Sequence, residues 1–274
     1  MYLKEQEFIK AALQEDIGRG DLFARISEPK EVSAYIIAKS SGVFAGVNYV
    51  EATRRLFNIK IELYVEDGDS FSVGDKLLTI SGNSKILLSL ERTLLNTILH
   101  ASSIATLTAE FVKKIAPYKT KLLDTRKTRP MLRELEKYAV RCGGGINHRM
   151  GLDDCLMLKD THLKTIDNLK EFMQEVRAKI PFTSKVEIEC ETFEMAKSAM
   201  SVGADIIMCD NMSLEETKKV VAFRGANYPH ILIEASGNVT LETIEGIAKC
   251  GVDAISSGST IHQSKWIDLS MKMN

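Results

Sequence analysis

The chain has 274 residues, 45% of them apolar and 27% charged, with a net charge of -1 at pH 7. That is enough apolar material for a sizeable core spread over one or two domains, and it excludes a disordered or fibrous chain. Without a global positive field there is nothing to recruit nucleic acid or an anionic membrane surface, so any anion-binding site has to be local.

The first segment, MYLKEQEFIKAALQED, is amphipathic and acidic, and it does not read as a signal peptide. From Val32 to Ile80 short β-rich runs alternate with turns: Val32–Ala38, Ile59–Val65 and Lys76–Ile80 are predicted strands, punctuated by Asp67-Gly68-Asp69 and Gly74-Asp75. From Ser84 to Ile115 the pattern becomes helical, with Leu87, Leu90, Leu94, Leu95 and Ile98 at three- and four-residue spacing, and the domain junction is expected within it. After Pro117 the rhythm changes to six compact runs separated by helix-length segments: KLLDT, CLMLKD, KVEIEC, DIIMCD, HILIEAS and VDAISSGS. Buried strands alternating with helices predict a parallel α/β architecture. Six units are too few for the eight of a full barrel, so the reading is a partial barrel, with an open doubly wound sheet as the structural alternative. Residues 1–105 are assigned to an N-terminal α/β sandwich and 106–274 to a six-stranded partial barrel, the last residues being candidates to pack back on the first domain.

What ends the six runs carries the functional signal: Asp124, Lys159 with Asp160, Glu189, Asp210, Glu234 with Ser236, and Ser257 with Gly258. Polar residues at the carboxyl ends of parallel strands converge on one mouth, whereas any one of them alone could be a helix cap. Between Lys119 and Arg149 stand nine Lys or Arg against three acids. Arg133, Glu134, Glu136 and Lys137 have helical spacing and are expected on a solvated face. Arg126, Lys127 and Arg129 follow directly on a strand end, where clustered cations call for an anion. Gly143-Gly144-Gly145 before His148 and Arg149 provides a helix stop and backbone amides that approach a ligand closely. Ser236-Gly237 and Ser257-Gly258 close the last two strands, the usual phosphate position of such barrels. The five cysteines, 13 to 41 residues apart with no CxxC pair, disfavour zinc and point to reduced thiols, and no apolar run approaches the roughly 20 residues of a membrane span. The expectation is a cytoplasmic protein.

Asp124-Thr125-Arg126-Lys127-Thr128, Gly143–Leu152, Lys159-Asp160-Thr161-His162, Asp210-Asn211-Met212 and Glu234-Ala235-Ser236-Gly237 together resemble the quinolinate phosphoribosyltransferases, from Glu15 nearly to the C-terminus. The resemblance implies transfer of phosphoribosyl from phosphoribosyl pyrophosphate to quinolinate with loss of CO2, on an α/β sandwich joined to a partial barrel. It implies a quinolinate pocket of Arg126, Lys127, His148, Arg149 and Lys159, with Arg92 supplied by a neighbouring subunit, hence a homodimer as the minimal active unit, with a higher oligomer open. Lys127, Lys159, Glu189 and Asp210 would address ribose and pyrophosphate as the catalytic set, with Ser236, Gly237, Ser257 and Gly258 around the 5'-phosphate. Magnesium would arrive with the pyrophosphate rather than on a dedicated protein cage, Glu189 and Asp210 being the candidate carboxylates for it. Two departures stand out: Thr161 where the family usually has Asn, and Asn238 where a second Gly is usual. The alternatives are a Schiff-base aldolase using Lys159 and a molybdenum-transport-associated relative of the same fold.

Overall fold

The computed structural model describes residues 3–274. Twelve strands occur among them in chain order: β1 (Glu31–Ala38), β2 (Gly42–Val43), β3 (Lys60–Leu63), β4 (Ser70–Phe71), β5 (Lys76–Asn83), β6 (Lys121–Leu123), β7 (Cys155–Leu158), β8 (Lys185–Cys190), β9 (Ile206–Asp210), β10 (Leu232–Ser236), β11 (Ala254–Ser256) and β12 (Leu269–Met273). The chain divides into two units: residues up to Ala109 with Glu134–Gly144 and Ser264–Asn274, and Glu110–Arg133 with Gly145–Gln263.

In the first unit β12, β1, β5 and β3 form an antiparallel sheet, and β2 pairs with β4. Its core forms where the helix Ser84–Ile115 lays Leu87, Leu90, Leu94, Leu95 and Ile98 into the same buried cluster as Ile36, Leu78 and Ile80. That is the stripe its spacing predicts. The turns at Gly68 and Gly74 take φ of 93° and 95°, open to glycine without strain, and the carboxylates of Asp69 and Asp75 accept the amides of Glu66 and Ser72. The final residues, candidates to pack back on this domain, pair as β12 with β1, Ala34 opposite Met273. One feature differs from expectation. The helix Arg133–Cys142 is not a solvated face: Glu136 and Lys137 are fully buried, and Glu136 Oε1 lies 3.0 Å from Nε2 of buried His100. Leu135, Tyr138, Ala139 and Val140 draw the helix into the core, and the charges that go with them are buried in compensated form.

In the second unit six strands pair in the order β6-β11-β10-β9-β8-β7, parallel throughout. Ile146 adds a parallel bridge to Leu123 at the β6 edge. The strands are the six apolar runs of the sequence. On β8 Val186, Ile188 and Cys190 alternate with Lys185, Glu187 and Glu189, and all but Lys185 are buried, as expected of a strand covered on both faces. Among the described residues no helix is long and apolar enough to cross a membrane, and all five cysteines are free.

Candidate functional site

Along each strand of the second unit, alternate residues share a face, and those of one face line two cavities. The larger, of about 1090 Å³, lies at the amino ends and is lined by Lys121, Cys155, Lys185, Ile206, Leu232 and Ala254 among others. The smaller, of about 440 Å³, lies at the carboxyl ends. It gathers Arg126, Lys127, His148, Arg149, Lys159, Glu189, Asp210, Ser236 and Gly237 from the predicted set. Thr125, Met157, Met208, Asn211 and Ser256 complete its wall beside Asp124, Glu234 and Asn238.

Lys159 stands at the N-cap position of the short helix Asp160–Leu163, where its backbone amide donates to His162 Nδ1 at 3.0 Å, while its side chain turns to the cavity. The side-chain caps come later in the chain: Asn168, Thr192 and Ser213 each accept backbone amides of the helix they open. The strand-end side chains bind one another instead. Lys159 Nζ is ion-paired with Glu189 Oε2. Asn211 Nδ2 donates to Asp210 Oδ2 at 2.7 Å, and Asn238 Nδ2 donates to Asn211 Oδ1 at 3.0 Å. Asn211 and Asn238 adopt φ of 52° and 48°, and Asn accepts this left-handed region better than most residues. Gly237, at φ 94°, packs so tightly on Asn211 that any side-chain carbon would collide with it. The Ser236-Gly237-Asn238 loop therefore interlocks with Asp210-Asn211, so the Asn238 departure leaves the loop intact.

Asp124, fully buried at the end of β6, is an anchor: it accepts Asn147 Nδ2 at 2.5 Å and the His148 amide at 2.8 Å, tying the glycine loop to the strand. The His148 ring turns inward, Nε2 lying 3.0 Å from Glu187 Oε2 and 3.3 Å from Glu234 Oε2. Burial draws its pKa down, the hydrogen bonds and charges of the two carboxylates push it up, and the Arg149 amide, which donates to Nδ1 at 2.7 Å, opposes a second proton on the ring. Burial pushes the Glu187 carboxyl up, and the bond from His148 offsets this only in part. Burial, then the like charge of Arg126, lowers the pKa of Arg149.

Not every expected residue stands at this wall. Ser257 is buried with its hydroxyl 3.4 Å from the Val239 carbonyl oxygen, and its neighbour Ser256 faces the cavity, because alternation on β11 brings one of the pair inward. Gly258 makes room for the lysine stem: a carbon added there would lie 3.2 Å from Lys127 Cδ. Arg92 is exposed on the helix of the first unit and is not a lining residue, and Thr161 is exposed on the short helix after Lys159. Glu187 is the residue the sequence reading passes over. The signal was available, since Glu187 and Glu189 share a face two residues apart.

A cavity that gathers cations and carboxylates can hold a flat polyanion against a centre that develops positive charge. Comparison with known proteins follows the same lines. The family model "Quinolinate phosphoribosyl transferase, N-terminal domain" matches residues 21–102, and that of the C-terminal domain matches residues 104–272. A protein of Synechocystis sp. named "Probable nicotinate-nucleotide pyrophosphorylase [carboxylating]" is 40% identical over 264 residues, 95% of this chain and 90% of that one. Its namesake in Bacillus subtilis is 38% identical over 98% of this chain and 93% of that one. The solved nicotinate-nucleotide pyrophosphorylase of Francisella tularensis superposes with a TM-score of 0.92 at 33% identity, covering 100% of this chain and 97% of that one.

Proposed function

This chain belongs to the quinolinate phosphoribosyl transferase family, and from that membership we propose that it is a carboxylating nicotinate-nucleotide pyrophosphorylase, joining quinolinate to phosphoribosyl pyrophosphate with release of CO2 and pyrophosphate. The observation that carries the reading is the convergence of Arg126, Lys127, Arg149 and Lys159 with Glu189 and Asp210 on one cavity of about 440 Å³. Paired guanidinium donors suit the two flat carboxylates of quinolinate, and lysines suit phosphate as point charges. Displacement of pyrophosphate builds positive charge at the anomeric carbon, which Glu189 and Asp210 stabilise from fixed positions. Lys127 and Lys159 offset the charge of the leaving pyrophosphate. The ribosylated ring nitrogen then carries a positive charge beside the 2-carboxylate, so loss of CO2 needs orientation by Arg126 and Arg149 rather than a strong base. Ser236 and Gly237 take the 5'-phosphate.

Magnesium fits this donor set. Glu189 and Asp210 present hard carboxylate oxygens on one wall, and a cation that keeps most of its waters needs few protein ligands. When bound with the pyrophosphate it neutralises leaving-group charge. Glu189 and Asp210 would hold it, directly or through its waters.

The functional unit is at least a homodimer in the cytoplasm, with Arg92 reaching the partner's quinolinate. A Schiff-base aldolase would need Lys159 as a free amine, whereas its ammonium is paired with Glu189, and the family match favours neither that reading nor a molybdenum-transport role. The test is a comparison of substrates. Quinolinate should be preferred over nicotinate by about 100-fold or more in kcat/KM, because the smaller acid leaves a buried cation unpaired. Comparable use of nicotinate would sink the assignment.

A further inference from the structure

Two carboxylates without a role in transfer stand one layer beneath the reacting groups. Glu187 on β8 is fully buried and Glu234 on β10 is 2% exposed. Both approach the same imidazole nitrogen as ion-pair contacts, at 3.0 and 3.3 Å, while neither oxygen of Glu187 nor Oε1 of Glu234 has a hydrogen-bond partner. Burying two acids side by side is costly, and a chain retains such an arrangement where it holds something in place.

What they hold is His148. Its ring has two nitrogens, and both are engaged: Nε2 faces the acids, and Nδ1 accepts the Arg149 amide at 2.7 Å. The His148 amide is bound in turn by Asp124. No polar atom of the ring remains for a substrate, so its effect on the cavity passes through Arg149. That arginine is 9% exposed, with Nη1 donating to the Cys155 carbonyl at 3.2 Å and Nη2 lying 3.4 Å from Met157 Sδ. It has little freedom apart from the backbone that His148 fixes.

We propose that Glu187 and Glu234 are positioning residues for the pyridine dicarboxylate: they brace the His148 ring so that Arg149 is presented to quinolinate in one orientation. This rests on the reading of the upper cavity as the quinolinate site. It divides one strand into two functions, since Glu189, two residues beyond Glu187 on the same face, acts on the transfer step, whereas Glu187 acts on acceptor binding.

The experiment is steady-state kinetics of the full chain carrying Glu187→Gln, Glu234→Gln and both, with Glu187→Leu as a fourth variant, and thermal unfolding of each. Gln keeps the shape and removes the charge. Leu removes the polar group as well, abolishing any bond to the ring that Gln could keep, and the unfolding measurement shows which variants remain folded. The expected result is a rise of about 10-fold or more in KM for quinolinate, the scale of effect that a displaced substrate-holding group produces, with KM for phosphoribosyl pyrophosphate and kcat changed by less than about 2-fold. Folded variants with an unchanged quinolinate KM overturn the proposal, as does a parallel change in both KM values and kcat. If the wild-type chain does not consume quinolinate at all, the functional assignment fails first, and the wild-type control shows that separately.

Discussion

Replacing Asp124 by asparagine should destabilise the second unit far more than its single-atom change implies. The carboxylate is fully buried and receives two donors, Asn147 Nδ2 and the His148 amide, one on each oxygen. An amide offers one oxygen and one NH2, so whichever way the new side chain turns, one buried donor faces another. One charge-assisted bond is lost and one donor is orphaned, which together cost about 2–4 kcal/mol, since the two effects overlap. In a unit of this size that lowers Tm by roughly 2–4 °C per kcal/mol. Asp160 follows β7 much as Asp124 follows β6, but it is half-exposed and lies 3.5 Å from exposed Lys164, so Asp160→Asn should cost less than about 0.5 kcal/mol. Urea unfolding of both variants, followed by circular dichroism, measures the difference. If Asp124→Asn costs no more than Asp160→Asn, Asp124 is not an anchor, and the account of how β6 fixes the glycine loop is wrong.

Glu189→Gln and Asp210→Asn should lower kcat with little change in either KM, and Arg126→Ala should chiefly raise the KM for quinolinate; the reverse pattern would exchange these roles. If the cavity borrows Arg92 from a partner, equal mixing of inactive Arg92→Ala and Arg126→Ala homodimers should restore about one quarter of wild-type activity through hybrids with one intact site. Verified subunit exchange without recovery would place both arginines in one chain.

The carboxyl-end site was legible because its two signals are local. Apolar runs mark the strands, and the first polar residue after each marks the mouth, so Lys159 and Asp210 could be read without pairing information. Parity was less accessible: Ser256 ends β11 and Ser257 follows it, so the two point to opposite faces, and the chemistry of the SSG run does not say which faces the cavity. Glu187 was hidden for a related reason, since attention to strand ends passes over an acid in the middle of KVEIEC even though alternation places it under Glu189. The burial of Glu136 depends on a partner far along the chain, His100, which no local pattern announces.

If one cavity both transfers the phosphoribosyl group and directs loss of the 2-carboxylate, the two products form together. Quinolinate labelled with carbon-14 at the 2-carboxyl, incubated with the chain, phosphoribosyl pyrophosphate and magnesium, tests it directly. Labelled CO2 and nicotinate mononucleotide should form in equal amounts, with no CO2 released when phosphoribosyl pyrophosphate is omitted. Mononucleotide that retains the label, or labelled CO2 without mononucleotide, would contradict it.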